Sequence, residues 1–202
     1  MMRDASPSHL SPRPLQAAAS DAASRRPRHL PGDRKPTLER MIRVDHAGEY
    51  GAVRIYQGQL AVLGNGAKGD MVRHMAEQEV VHRETFERLI RERGVRPTVL
   101  QPFWHVAGWL LGAGTALLGE RAAMACTVAV ETVIDGHYAA QADELGPDEA
   151  PLKATIEQFR AEELEHRDIG LENEAELAAG YPVLSNLIKA GSKTAIWLSE
   201  RV

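Results

Sequence analysis

A pairing of acid and imidazole that occurs twice constrains this chain more than any other feature. It reads Glu79-Val80-Val81-His82 in the first half and Glu163-Leu164-Glu165-His166 in the second, and a lone glutamate, Glu49 or Glu131, precedes each copy. Glu49 and Glu79 are 30 residues apart and Glu131 and Glu163 are 32 apart, so the halves repeat at an offset of 82 to 84. On a helix, positions i and i+3 share a face. Each Glu-x-x-His therefore aims a carboxylate and an imidazole at one point.

The surrounding periodicity puts those residues on helices. Aromatic residues are only 5% of the chain, while Ala, Leu, Glu and Arg are plentiful, which favours helix over sheet. A first helix is expected from Thr37 as N-cap to about Leu63, with Ile42, Asp45, Glu49, Ala52, Tyr56, Leu60 and Leu63 facing inward. Asp70 is expected to cap a second, from about 71 to 93, ended by Gly94, with Val72, Met75, Glu79, His82, Phe86 and Leu89 on its stripe. The intervening run, residues 64–69, matches G-x-G-x-x-G. That fingerprint requires a preceding strand, and here a helix precedes it, so the run reads as a helix–helix turn. His74, Glu77, Glu84 and Glu87 lie off the stripe and read as surface residues.

The second half echoes the first. A helix over about 120 to 144 carries Met124, Thr127, Glu131, Asp135, Tyr138, Ala142 and Leu145. Within it, Glu131-x6-Tyr138-x2-Gln141 repeats Glu49-x6-Tyr56-x2-Gln59. The next, about 151 to 178, places Leu152, Ile156, Phe159, Glu163, His166 and Gly170 at spacings of three and four. A last amphipathic helix after Gly180 and Pro182 aligns Val183, Leu187, Ile188, Gly191, Thr194, Ala195 and Leu198. Lys189, Lys193 and Trp197 on this helix suit a membrane surface or packing on the bundle. Cys126, the only cysteine, excludes an internal disulfide and reads as a small buried hydrophobe.

Four Glu and two His thus fall on the inward stripes of four successive helices. An isolated core His is more often a hydrogen-bonded structural residue than a ligand, but four buried carboxylates without compensation would be prohibitive. Two divalent ions cancel those four charges. The expected architecture is an all-α, ferritin-like four-helix bundle holding a dinuclear site, with an apolar crossover helix and a C-terminal amphipathic helix. Carboxylate and imidazole donors without thiolate suit iron or manganese. Asp45 and Asp135, four residues before Glu49 and four after Glu131, are candidates for orienting the ligands. The same ligand set would serve an oxygenase, a ferroxidase or iron store, a peroxide-scavenging oxidase or a radical-generating subunit.

Two further segments bear on partners. Residues 99–118 carry no formal charge, His105 aside. A helix from Phe103 to Leu118 would reach only about 24 Å at ~1.5 Å per residue, short of the ~30 Å hydrocarbon core. A membrane-surface or half-inserted element is expected, against the alternative of a buried crossover. Residues 1–37 contain six prolines and seven Arg or Lys against three Asp, which suggests a disordered tail or, less well given the acids, a mitochondrial presequence. The body, 38–202, then carries a net −8, which argues against nucleic acid as partner.

Arg43-Val-Asp-His-Ala-Gly-Glu49-Tyr-Gly-Ala, Gly112-Ala-Gly-Thr-Ala-Leu-Leu-Gly119, Ala125-Cys-Thr-Val-Ala-Val-Glu131, Glu162-Glu-Leu-Glu-His166-Arg-Asp-Ile-Gly170 and the closing Leu198-Ser-Glu-Arg201 resemble the demethoxyubiquinone hydroxylase family. The resemblance covers roughly residues 38 to 202. It implies a membrane-associated di-iron monooxygenase that hydroxylates the quinone ring in ubiquinone biosynthesis, using O2. It also implies Glu49, Glu79, His82, Glu131, Glu163 and His166 as ligands of two iron ions, with Glu79 and Glu163 bridging. The implied partners are an isoprenoid quinone, the inner membrane (bacterial cytoplasmic face or mitochondrial matrix side) and a lipid-binding accessory protein of the pathway. The chain shows no flavin, nicotinamide or iron–sulfur motif, so electrons are expected from outside, from NADH or from a quinol. Tyr56, His137 and Tyr138 are candidate proton or electron relays.

Overall fold

The computed structural model describes residues 35–64 and 66–202. Every regular element among the described residues is helical: α1 (Lys35–Leu63), α2 (Ala67–Arg93), α3 (Gln101–Leu117), α4 (Glu120–Glu144), α5 (Ala150–Glu172) and α6 (Tyr181–Ser199). Single 3-10 turns at Pro147–Glu149 and Ala175–Leu177 lead into α5 and α6. Helices α1, α2, α4 and α5 make the four-helix bundle, α3 is the crossover between its halves, and α6 packs on the outside.

Three helix ends differ from the sequence reading. Helix α1 starts at Lys35, two residues ahead of Thr37, because a proline in the first turn forfeits only an N–H that has no intrahelical partner. The expectations for the rest of the 1–37 segment lie outside the described residues. Helix α2 starts at Ala67, so Asp70 sits in its first turn instead of capping it; there its carboxylate still faces the positive end of the helix dipole. Helix α5 stops at Glu172, six residues early, where Asn173 Nδ2 donates to Ile169 O at 2.7 Å and Glu174 turns left-handed at φ 62°. Gly94, at φ 63°, ends α2 as expected, and α1 ends at Leu63 with α2 beginning at Ala67, so a helix does precede the glycine-rich run.

Cross-bundle bonds fix direction and register. Tyr138 of α4 reaches Glu49 of α1, while Tyr56 of α1 reaches Glu131 of α4, so these helices run antiparallel. His166 of α5 meets Gln78 of α2, while His82 of α2 meets Glu162 of α5, and they too are antiparallel. Two apolar layers close the bundle on either side of these polar residues. One gathers Ile42, Phe86, Ile90, Leu152, Ile156 and Phe159; the other gathers Val72, Met75, Ala123, Met124, Val128 and Ala175. Helix α4 is buried without interruption from Ala122 to Glu131, the longest such run among the described residues. Cys126 lies within it, and burial pushes its thiol up to about 12.

Helix α3 crosses α1 at backbone contact. A Cβ on Gly112 would stand 1.9 Å from Ile55 O, and one on Gly58 would stand 2.2 Å from Trp109 O. The spacing Gly108-x-x-x-Gly112, too common to carry weight in sequence, is the seam of this crossing. The opposite face of α3 is open: Phe103 is 61% exposed, Leu110 57% and Leu117 75%. Helix α3 is therefore neither fully buried nor free. In α6, the single apolar stripe expected from sequence divides. Ser185, Ile188 and Ser199 are buried, while Val183 and Leu187 point outward with Trp197. Ile188 and Leu184 join the core, and Val183, Leu187 and Trp197 are left at the surface. No helix among the described residues is long and apolar enough to cross a membrane.

Candidate metal centre

Placing glutamates on inward stripes of four helices has a geometric consequence at the centre of the bundle. Glu49, Glu79, His82 and Glu163 present donor atoms within 4.8 Å of one another, and so do Glu79, Glu131, Glu163 and His166. The two sets share Glu79 and Glu163. All six side chains are buried, none above 3% exposure.

Both imidazoles turn the same nitrogen inward. His82 Nδ1 lies 3.2 Å from Glu163 Oε1, 3.5 Å from Glu49 Oε2 and 3.9 Å from Glu79 Oε2. His166 Nδ1 lies 3.1 Å from Glu79 Oε1 and 3.2 Å from Glu163 Oε2. One proton cannot serve two carboxylates. His166 forms a hydrogen bond to Glu163, and both oxygens of Glu79 remain buried with no hydrogen-bond donor.

The electrostatics follow from that crowding. Burial, reinforced by the charges of Glu163, Glu49 and Glu131, holds the Glu79 carboxyl well above the usual range. Burial and the charge of Glu163 do the same to Glu131. Burial alone would also raise Glu163, but hydrogen bonds from His166 and His82 outweigh it and hold this carboxyl at about 2. Burial would lower His82, yet its bonds to Glu163 and Glu49 raise it to about 11. Without cations the cluster therefore keeps protons where carboxylates would otherwise repel. Unpartnered Glu79 oxygens, two overlapping four-residue donor sets and an oxygen–nitrogen donor chemistry fit a pair of divalent cations that would replace those protons.

A ring of bonds braces the cluster. Tyr56 OH donates to Glu131 Oε1 at 3.0 Å, and Tyr138 OH donates to Glu49, so each lone glutamate is held from the opposite helix. Burial first, then the neighbouring carboxylates, raise both phenols well above 10, which keeps them as donors. Gln59 Nε2 donates to Ala123 O at 3.1 Å and reaches Thr127 Oγ1 at 3.4 Å; Gln141 Nε2 donates to Asp45 Oδ1 at 2.8 Å. The echo Glu-x6-Tyr-x2-Gln is thus a structural repeat. His137 does not touch the cluster: its Nε2 donates to Asp45 Oδ1 at 3.2 Å. Burial opposes protonation of His137, but the Asp45 bond and charge prevail and its pKa rises.

Two expectations about the supporting residues change. Asp45 bonds His137 and Gln141, neither of them in the cluster. Asp135 pairs with Arg160 at 2.6 Å near the surface and orients no ligand. The residue four before Glu131, matching Asp45 in the antiparallel pair, is Thr127. Sequence reading also missed Gln78 and Glu162. His82 Nε2 is 2.5 Å from Glu162 Oε2, and His166 Nε2 is 2.9 Å from Gln78 Oε1. Each polar residue directly precedes a motif glutamate and lies four before the histidine of its own helix, a signal that repeats in both copies.

An apolar cavity of about 250 Å³ lies between α1, α3, α4 and α6, lined by none of the six cluster residues themselves. Its wall includes Gly48 and Ala52, flanking Glu49 in the chain, and Val130, which precedes Glu131. Trp104, whose Nε1 donates to Ser199 Oγ at 3.0 Å, stands in the same wall.

The chain is similar to known proteins over most of its length. The chain is 64% identical over 176 residues to the 3-demethoxyubiquinol 3-hydroxylase of Rhodospirillum rubrum, covering 86% of this chain and 83% of the relative. It is 52% identical over 172 residues to the human protein named NADPH-dependent 3-demethoxyubiquinone 3-hydroxylase, mitochondrial (83% and 79% covered). With the yeast 5-demethoxyubiquinone hydroxylase, mitochondrial, it shares 43% over 182 residues (82% and 78% covered). Residues 36–199 match the family described as Ubiquinone biosynthesis protein COQ7. With the match spanning every helix of the bundle and relatives this similar, the chain belongs to the ubiquinone biosynthesis protein COQ7 family.

Proposed function

We propose that this chain hydroxylates the ring of a demethoxyubiquinol or demethoxyubiquinone, as its relatives' names state, with O2 and a pair of iron ions. The observation that carries the reading is the shared use of Glu79 and Glu163 by two buried donor sets. Glu49 and His82 would complete one ion's ligands, Glu131 and His166 the other's, with Glu79 and Glu163 available to both. When bound, the iron pair supplies the redox chemistry that activates O2.

The chain's own residues do the rest. The apolar layers exclude water from the cluster, which strengthens every charge interaction inside it. Tyr56 and Tyr138 hold Glu131 and Glu49 in fixed rotamers by donating one hydrogen bond each. His137 and Asp45 hold one proton between Nε2 and Oδ1, one turn from Glu49, at the edge of the buried region. The cavity behind Gly48 and Val130 suits a quinone ring or an isoprenoid unit, since its wall is almost wholly apolar.

Such a substrate stays in a bilayer, so the enzyme must reach one. The exposed apolar faces of α3 and α6 support peripheral attachment: Phe103, Val106, Leu110, Leu117, Leu187 and Trp197 are each more than half exposed. That surface also sets the chain apart from a soluble ferroxidase or iron store. Electrons come from outside, since two are needed to reduce the second oxygen atom to water. The mitochondrial relatives named NADPH-dependent add NADPH to the NADH or quinol expected from sequence.

The test is a single turnover with reduced enzyme, a demethoxyubiquinol analogue and ¹⁸O-labelled O2. One labelled oxygen in the ring is the expected result. Label in water alone, with the ring unaltered, would make a ferroxidase the better reading.

A further inference from the structure

The two histidines of the cluster are matched in position and differ in what holds them. A ring that gives its Nδ1 lone pair to a cation must carry its proton on Nε2. For His82 that proton meets a carboxylate, Glu162 Oε2 at 2.5 Å; for His166 it meets an amide oxygen, Gln78 Oε1 at 2.9 Å. Glu162 is itself fixed, its Oε1 accepting from Gln158 Nε2 at 3.0 Å, and its side chain is only 27% exposed. The antiparallel register of α2 and α5 makes Glu162 and Gln78 counterparts, so the difference lies in the residue type and not in its placement.

A hydrogen bond to a charged acceptor is shorter and about twice as strong as one between neutral groups. It pulls the Nε2 proton outward and leaves Nδ1 a stronger donor to a cation; outer partners of this kind are worth roughly 10- to 100-fold in metal affinity. The net charge follows the same pattern, because Glu162 adds an anion beside one donor set only. We propose that Glu162 and Gln78 are positioning residues that make the two metal positions unequal. The Glu49–His82 position fills first and holds its ion, and the Glu131–His166 position fills second and exchanges.

This inference rests on the dinuclear reading above, and the experiment separates the two. Metal-free protein is titrated with Co(II) under anaerobic conditions, following calorimetry and visible absorption. Wild type takes up two ions in resolved steps, with constants about tenfold or more apart. Glu162→Gln weakens the first step, Gln78→Glu strengthens the second, and each brings the steps together. The double exchange Glu162→Gln with Gln78→Glu restores the separation. One-site proteins give an independent check: His166→Ala retains the tighter position and loses affinity on adding Glu162→Gln, whereas His82→Ala is insensitive to it. Opposite effects of two single exchanges are not expected of residues that merely support the fold. Equal constants in wild type, or a separation unmoved by either exchange, overturns the inference while leaving a dinuclear site intact. Absence of any tight Co(II) binding instead removes the metal reading itself.

Discussion

The centre of the bundle and the outer faces of α3 and α6 invert the ordinary distribution of polarity. Inside, four carboxylates and two imidazoles lie at 3% exposure or less. Outside, Phe103, Leu110, Leu117 and Val183 are all more than half exposed. Either region alone would be a liability, as uncompensated buried charge or as an apolar patch open to water. Together they are what the proposed function would use: cations within, and an apolar phase without. The seam between the regions is the crossing of α3 over α1, where Gly112 and Gly58 bring the apolar helix to backbone contact with the helix that carries Glu49.

Breaking the interior should have the largest effect. His82→Ala or Glu163→Ala is expected to abolish hydroxylation and lower bound iron, with helical circular dichroism retained because the apolar layers above and below are untouched. A variant that keeps two irons and full turnover would refute the assignment. Next comes the seam. Gly112→Leu places its Cβ where Ile55 O stands, and should destabilise the fold by about 3 kcal/mol, at the upper end for overpacking, as read in thermal or urea unfolding. An unchanged midpoint would mean that α3 is not held against α1.

The exterior offers a cleaner, smaller test. Trp104 is tied to Ser199, so its replacement would disturb the α3–α6 contact; Phe103 and Leu110 face away from the protein. Replacing both with Glu should weaken binding to phospholipid vesicles at least ~10-fold, given about 1.5–3 kcal/mol for each large apolar side chain fully buried. Iron content should not change. Equal vesicle binding would show that another surface makes the contact.

The smallest effect is a slope. In the metal-free fold Glu79 and Glu131 keep their protons well above 4.5, where the unfolded chain ionises, chiefly because they are buried. Their stabilising contribution is complete below 4.5 and is lost as pH rises through the folded-state values. His82 acts in the same sense, complete below 6.5 and lost as pH rises through about 11. Metal-free protein should therefore melt at steadily lower temperature from about pH 5 to about pH 9. Iron or manganese should flatten or reverse that slope, since cations replace the protons. A rising melting temperature in the metal-free protein would contradict the electrostatics of the cluster.

Much of this was written in the sequence. Spacings of three and four placed Glu79 with His82 and Glu163 with His166 on inward stripes, and the lone glutamates fell on matching stripes one helix earlier. Local periodicity is enough for that, because a helix fixes its own faces. Burial of Asp45 was legible for the same reason, but its partners are His137 and Gln141 and not a cluster residue; Asp135 misled too, because a distance of four from a ligand says nothing about direction along an antiparallel partner. The contacts between helices were beyond local pattern. Which acceptor meets the far nitrogen of His82, which glycines touch Ile55 O and Trp109 O, and which side of α6 turns outward all depend on register and crossing angle. Only the packed bundle sets these, by bringing residues up to 157 positions apart within hydrogen-bond reach. The sequence by itself determined six donors on four helices. The tertiary structure decided that they share one centre, that a carboxylate braces one histidine and an amide the other, and that α3 keeps Phe103, Leu110 and Leu117 on the open side. The physical reason is that covalent periodicity acts within a helix, whereas partner, register and exposure are properties of surfaces that exist only after the helices meet.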